Sequence, residues 1–316
     1  MTRKVLLDVD VGIDDALALI LAVRSPELDV VAVSAVAGNV ELEKTTANSL
    51  RVLDAVGETG VPVYRGCAKP LVRGLVTAEH VHGRDGLGDI GLKYSQRKPQ
   101  PEGAVTAFSR IARELGKGVL TVVATGPLTN VASALTADPE LASFLREIVV
   151  MGGAYALNEH GHGNVTPVAE YNVYADPEAA KIVFESGAKV TALGLDVTTQ
   201  PDACLRAGLN DEIASKGTVS GKLASSLAGV WVNRWGRAFL HDPMAVAYAA
   251  APHMFEAREC RVEVETRGEY TLGETVADRR VYREDREQLG WPTVNVCTRV
   301  DGPGFLRLFA DRVSEA

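Results

Sequence analysis

The chain has 316 residues, with 33 Lys and Arg against 41 Asp and Glu, for a net charge of -8. That length suits one α/β domain over residues 1–316, and no Ser/Gly/Pro-rich linker interrupts it. Charges of both signs are mixed throughout with no basic run, which argues against nucleic acid or an anionic membrane as partner and points to a soluble cytoplasmic protein.

The organising stretch is KVLLDVDVGIDDALALILA, residues 4–22. Val5, Leu6 and Leu7 predict a buried parallel strand, and the apolar segment 16–23 is long enough for a buried helix. Between them lie Asp8, Asp10, Asp14 and Asp15. Strand alternation carried through Asp8 and Asp10 puts both on one face at the strand's C-terminal end, with Asp14 and Asp15 in the first helical turn. Helix N-termini favour negative charge, so Asp14 and Asp15 have a structural explanation as caps; Asp10 has none. Carboxylates converging at the mouth of a buried strand either raise one pKa or attract a cation that keeps them ionised. These acids also fall where a secretory signal needs an uncharged core, and nowhere are there 18 consecutive apolar residues.

A second strand is expected over 28–36, followed by a Gly38-Asn39 turn and an amphipathic helix from about 41 to 56. A short third strand at 61–64 leads into a long irregular stretch, 65–101, of the kind that serves as a lid or substrate loop. The regular pattern resumes with a helix at 103–115, a strand at 119–124, a helix opening near Pro127 and a strand at 148–151. A Gly-, His- and Asn-rich stretch, 152–171, precedes a helix capped by Asp176-Pro177-Glu178 and a strand at 190–195. The rest is mainly helical to about residue 251, including a helix over 223–240. Alternating segments at 261–266, 276–282 and 293–299 predict a small antiparallel addition, followed by a short helix after Asp301. The whole is an α/β chain with an open, mostly parallel sheet and helices on both faces, whose ligands belong at the strands' carboxyl ends.

Oxygen donors dominate that edge: Asp8, Asp10, Asp14, Asp15, Glu170 and Asp242, with the amides Asn39, Asn164 and Asn172. Such a set suits a hard cation, calcium or magnesium, rather than zinc or copper. The four cysteines are far apart, so buried thiols are expected rather than disulfides. A metal site and an unmetallated capped helix both remain compatible with the residues alone. Asp242-Pro243 can likewise be a helix cap, His82 a surface histidine, and the 164–172 stretch an ordinary turn-rich loop.

DVDVGIDDALAL resembles the N-terminal signature of the inosine-uridine preferring nucleoside hydrolase family, with Val11 where that family commonly has proline. The likeness continues through Gly38-Asn39, KPLVR at 69–73, HVHGRDGLG at 80–88, ATGPLTN at 124–130, MGG followed by GNVTPVAEYNVYADPEAA, and HDPMAVAY at 241–248. It implies a calcium-dependent N-glycosidase acting on ribonucleosides, assembled as a homodimer or homotetramer. Carried over residue by residue, it implies that Asp10, Asp15, Asp242 and the Thr125 carbonyl hold Ca2+, with Asp10 also the general base. Asp14, Asn39, Asn164, Glu170 and Asn172 would orient the ribose, His82 would lie in a mobile loop near the base, and His241 would be the acid for the leaving base. Two other readings were open to the same start: a phosphatase of the haloacid dehalogenase type, which shares the strand leading to D-x-D, and a calcium-dependent nucleoside- or ribose-binding module without turnover.

Overall fold

Val5, Leu7 and Val9 of strand β1 (Arg3–Val9) pack into one hydrophobic layer and Leu6 into the other, so the strand is buried on both faces as its unbroken apolar run requires. The computed structural model describes residues 2–280 and 292–315. After β1 come α1 (Ile13–Val23), β2 (Leu28–Ala35), α2 (Leu42–Ala55), β3 (Val63–Arg65), the single turn α3 (Glu79–His82), β4 (Gln100–Gly103), α4 (Ala104–Leu115) and β5 (Thr121–Ala124). Then follow α5 (Thr129–Ala137), α6 (Leu141–Phe144), β6 (Glu147–Met151), α7 (Tyr171–Ala175), α8 (Pro177–Glu185), β7 (Val190–Leu193) and α9 (Leu195–Thr198). The remaining elements are β8 (Cys204–Leu205), α10 (Ala207–Ser215), α11 (Val219–Trp235), β9 (Ala238–Phe239), α12 (His241–Ala250), β10 (Phe255–Cys260), β11 (Val262–Val264), β12 (Thr275–Ala277), β13 (Val294–Val300) and α13 (Gly302–Val313).

Nine strands form one sheet in the order β10-β13-β7-β6-β5-β1-β2-β3-β4, parallel throughout except for β10, which runs antiparallel to β13 at the edge. One layer of the core joins α1, α11, α12 and α13 to the sheet; the other joins α4, α5 and α8. Helix α1 is buried at every position from Ile13 to Ala22, including both aspartates. A Leu19→Ala substitution there is expected to cost about 2–5 kcal/mol, read as a lowered urea midpoint with little change in m. Among the described residues no helix is long and apolar enough to cross a membrane.

Several boundaries differ from the sequence expectation. The 293–299 segment is not part of a separate antiparallel unit: β13 enters the main sheet parallel to β7 and antiparallel to β10, β11 and β12 pair antiparallel apart from it, and β8 and β9 form a second short antiparallel pair. Strand β10, with its mostly exposed FEAREC sequence, carries too little apolar alternation to be read in advance. Residues 281 and 282 of the expected 276–282 strand lie outside the described residues. Helix α11 stops at Trp235 because Gly236 adopts φ +73°, a left-handed end that other residues resist; α12 therefore starts afresh at His241, with Leu240 rather than Asp242 at its cap. Pro127 precedes α5 instead of sitting in its first turn, and the 65–101 stretch holds α3 and the first half of β4.

Candidate active site

β1 ends at Val9, and the chain turns through Asp10, Val11 and Gly12 before α1 begins. Asp15 fastens this turn. Its Oδ2 accepts from the Gly12 amide (2.9 Å) and the Asn39 side chain (3.1 Å), and its Oδ1 accepts from the Asp10 amide (3.2 Å) and the Thr125 hydroxyl (2.8 Å). One buried carboxylate thus ties together the loops after β1, β2 and β5. Asp10 Oδ2 accepts from the Asn39 amide at 2.7 Å, whereas Asp10 Oδ1 and Asp14 Oδ1 are buried without any hydrogen-bond partner. Asp242, in the first turn of α12, completes the group: one oxygen each from Asp14, Asp15 and Asp242 lies within 4.8 Å of the others. Asp10 stands outside that tightest triplet, yet its charge adds to the repulsion felt at Asp242.

Burial is the main force on these groups, because it removes the water that stabilises a carboxylate. Burial, then the neighbouring Asp15, pushes the Asp14 carboxyl up to about 8. The same two causes hold Asp10 well above the usual range, and burial with the charges of Asp14, Asp15 and Asp10 does so for Asp242. Asp8 does not share the Asp10 face. Its side chain accepts from the Ser34 hydroxyl and Asn130 amide, and burial raises it to about 7. The alternation that would have paired the two aspartates ends with β1 at Val9.

These acids meet a cavity of about 720 Å³ lined by Asp14, Asn39, Thr125, Asn164, Glu170, Asn172 and Asp242, and also by His82, Trp231, Trp235, Arg237, Phe239 and His241. Glu170 caps α7, accepting from the amides of Asn172, Val173 and Gly153, and Asn172 donates to the carbonyls of Thr125 (2.7 Å) and Met151 (3.1 Å). Asn164 is exposed at the mouth. His82 is 7% exposed rather than free in a loop: its Nδ1 accepts the amide of Ile13 at 3.1 Å, capping α1, and its ring meets Trp231 edge-on. Burial drives its pKa down to about 3. Trp231 is 4% exposed and bonds the Val81 carbonyl, while Trp235 is 48% exposed at the rim.

The donor chemistry fits a hard divalent cation. Carboxylate oxygens with no proton donor, packed together away from water, are unstable as anions unless a positive charge joins them, and among the described residues no Lys or Arg forms an ion pair with them. Space around Asp10 is equally specific. A Cβ on Gly126 would lie 2.9 Å from Asp10 Oδ1 and 2.9 Å from Val36 Cγ1, and one on Gly38 would collide with Asp10 Oδ2. Gly126→Ala is therefore expected to displace Asp10 and slow hydrolysis about tenfold or more, read from initial rates, while the fold survives. Neither glycine stands out from sequence as a site residue, because their contribution is the absence of a side chain.

The sequence pattern of the inosine-uridine preferring nucleoside hydrolases matches residues 5–307. The chain belongs to that family. It is 42% identical to a pyrimidine-specific ribonucleoside hydrolase, RihA, of Shigella boydii serotype 4 over 320 aligned positions, covering 99% of each chain. Among solved structures it is similar to a plant nucleoside hydrolase (32% identity, TM-score 0.92, all of both chains). It is also similar to a purine-preferring ribonucleoside hydrolase of Gardnerella vaginalis (34% identity, TM-score 0.89, 99% and 98% of the two chains).

As a nucleoside hydrolase the chain is a glycosidase, and the phosphatase reading falls: Asp8, which would have been its nucleophile, is turned into Ser34 and Asn130. Among the described residues, the acidic cluster at the head of α1 and α12 is a group able to take a metal.

Proposed function

We propose that this nucleoside hydrolase uses calcium to hydrolyse the N-glycosidic bond of pyrimidine ribonucleosides, giving free base and ribose, in the cytoplasm and as a homo-oligomer. The observation that carries the reading is the buried carboxylate group opening onto one cavity that also presents a histidine, His241, from the same helix turn as Asp242. The pyrimidine preference is supported by the higher identity to the pyrimidine-specific relative than to the purine-preferring one.

Asp10, Asp15, Asp242 and the Thr125 carbonyl would hold the calcium, with Asp14 beside them. The ion would supply charge to keep the acids ionised, a template for a vicinal diol and activation of a water. The remaining steps fall to the chain. Asp14, Asn39, Asn164, Glu170 and Asn172 bind and orient the ribose. Asp10 takes the proton of the attacking water at its unpartnered Oδ1 while the oxygen bonds to C1′. The C1′–N electron pair leaves with the base through an oxocarbenium-like transition state, which the buried carboxylates stabilise by their charge. Burial pushes His241 down to about 4, so its ring is neutral at pH 7 and acts as an N–H hydrogen-bond donor to the charge developing on the departing base; the base takes its proton from solvent as it is released, and Asp10 returns to solvent the proton it took from the attacking water. His82 stands near the base.

Initial rates on uridine, cytidine, inosine and adenosine test this reading. Base and ribose should appear, fastest from the pyrimidine nucleosides; a metal-loaded protein that binds them without turnover would mark a binding module instead. His241→Ala should slow uridine about 10²-fold or more and a 4-nitrophenyl ribofuranoside, whose leaving group needs no help, far less. Equal losses on both would remove His241 from the leaving-group role.

A further inference from the structure

Thr198 and Thr199 are neighbours at the end of α9, and they use their hydroxyls differently. Thr199 Oγ1 donates to the carbonyl of Leu195 at 2.8 Å, the ordinary back-bond of a threonine to the preceding helical turn. Thr198 Oγ1 instead lies 2.8 Å from His241 Nδ1. The Thr198 residue is fully buried, on a turn that is itself tied down. Leu195 N–H bonds the Gly153 carbonyl, and the Asp196 carboxylate accepts the amides of Tyr155 and Leu157. The Asp196 carbonyl accepts from Asn158 and Gln200. These bonds make Asp196 the anchor of the turn that carries Thr198.

His241 lines the cavity. With Nδ1 engaged by Thr198 and the Phe239 ring 5.8 Å from its own at 41°, the nitrogen left for the cavity is Nε2. A hydroxyl suits this post better than a carboxylate or carbonyl. It can donate to Nδ1, as a carboxylate or carbonyl cannot, which leaves the proton on Nε2, and it adds no charge beside an already acidic cluster.

We propose that Thr198 is a positioning residue for glycosidic cleavage: its hydroxyl fixes the plane and tautomer of His241 so that Nε2–H points at the departing base. The inference rests on the assignment of His241 to the leaving base, and the test separates the two. Thr198→Val keeps the shape and the β-branch and removes only the hydroxyl. It should lower kcat on uridine about ten- to hundredfold with KM within about twofold, and slow the 4-nitrophenyl ribofuranoside by no more than about threefold. Thr198→Ser should recover most of the uridine rate, because it restores the hydroxyl without the methyl. Equal losses on the two substrates, or a serine variant as slow as the valine variant, would overturn the proposal. If His241→Ala itself fails to discriminate the substrates, the leaving-group assignment is lost. The 15N resonances of the His241 ring then decide for Thr198: a changed tautomer balance in the valine variant is expected, and an unchanged one contradicts the contact's role.

Discussion

An Asp10→Asn variant should fold, should melt at a higher temperature than the parent when both are metal-free at pH 8, and should release base about 10²- to 10⁴-fold more slowly. The two halves of this result have one cause. Asp10 is 1% exposed, and burial together with Asp15 holds its carboxyl well above the ordinary range, so its ionised form weighs against the folded state. A raised carboxylate contributes stability that is fully present below its unfolded pKa and lost as pH rises through the folded one. The amide removes that loss, keeps an oxygen for the Asn39 amide bonded at 2.7 Å, and cannot take a proton from water. Scanning calorimetry of the metal-free proteins, paired with uridine kinetics, reads both. A variant that is both less stable and fully active would refute the assignment.

Calcium should stabilise the protein, and by more at high pH than at low pH. Without metal, Asp8 and Asp14, raised from 3.8 to about 7 and about 8, lose their stabilising contribution as pH climbs from about 4 through about 7 and about 8. His82 and His241 act at the other end. Their depressed pKa values, about 3 and about 4, favour a folded state with neutral rings, so their contribution is lost as pH falls below about 6.5. A cation binds the deprotonated acids, and its gain therefore grows with pH. At a hundredfold excess over Kd the gain is about 2.7 kcal/mol, or about 4–5 °C in Tm for a chain of this size. Melting curves with calcium and with chelator should lie close together near pH 5 and apart at pH 8. A gap that closes on raising pH would contradict ligation by these carboxylates.

The acidic turn after β1 was legible from sequence because a short apolar run, a break and a second apolar run announce strand, loop and helix, and because motifs along most of the chain point the same way. Period alone does not show where a strand stops. Asp8 and Asp10 were expected on one face, but β1 ends between them and Asp8 turns to Ser34 and Asn130. Nor does it choose partners: the 293–299 segment was expected beside 261–266 and 276–282, yet β13 sits in the main sheet between β10, antiparallel to it, and β7, parallel to it. Thr198 and Gly126 were invisible for a different reason. Their roles arise from a contact made 43 residues away in the chain and from a side chain that is not there.

The most direct measurement is uridine hydrolysis by one preparation before chelation, after exhaustive chelation, and after calcium is returned, with ribose and uracil both quantified. Turnover should vanish with the metal and come back with calcium. Undiminished release of base from protein shown to be metal-free would mean that the carboxylates around Asp15 do not work through a cation.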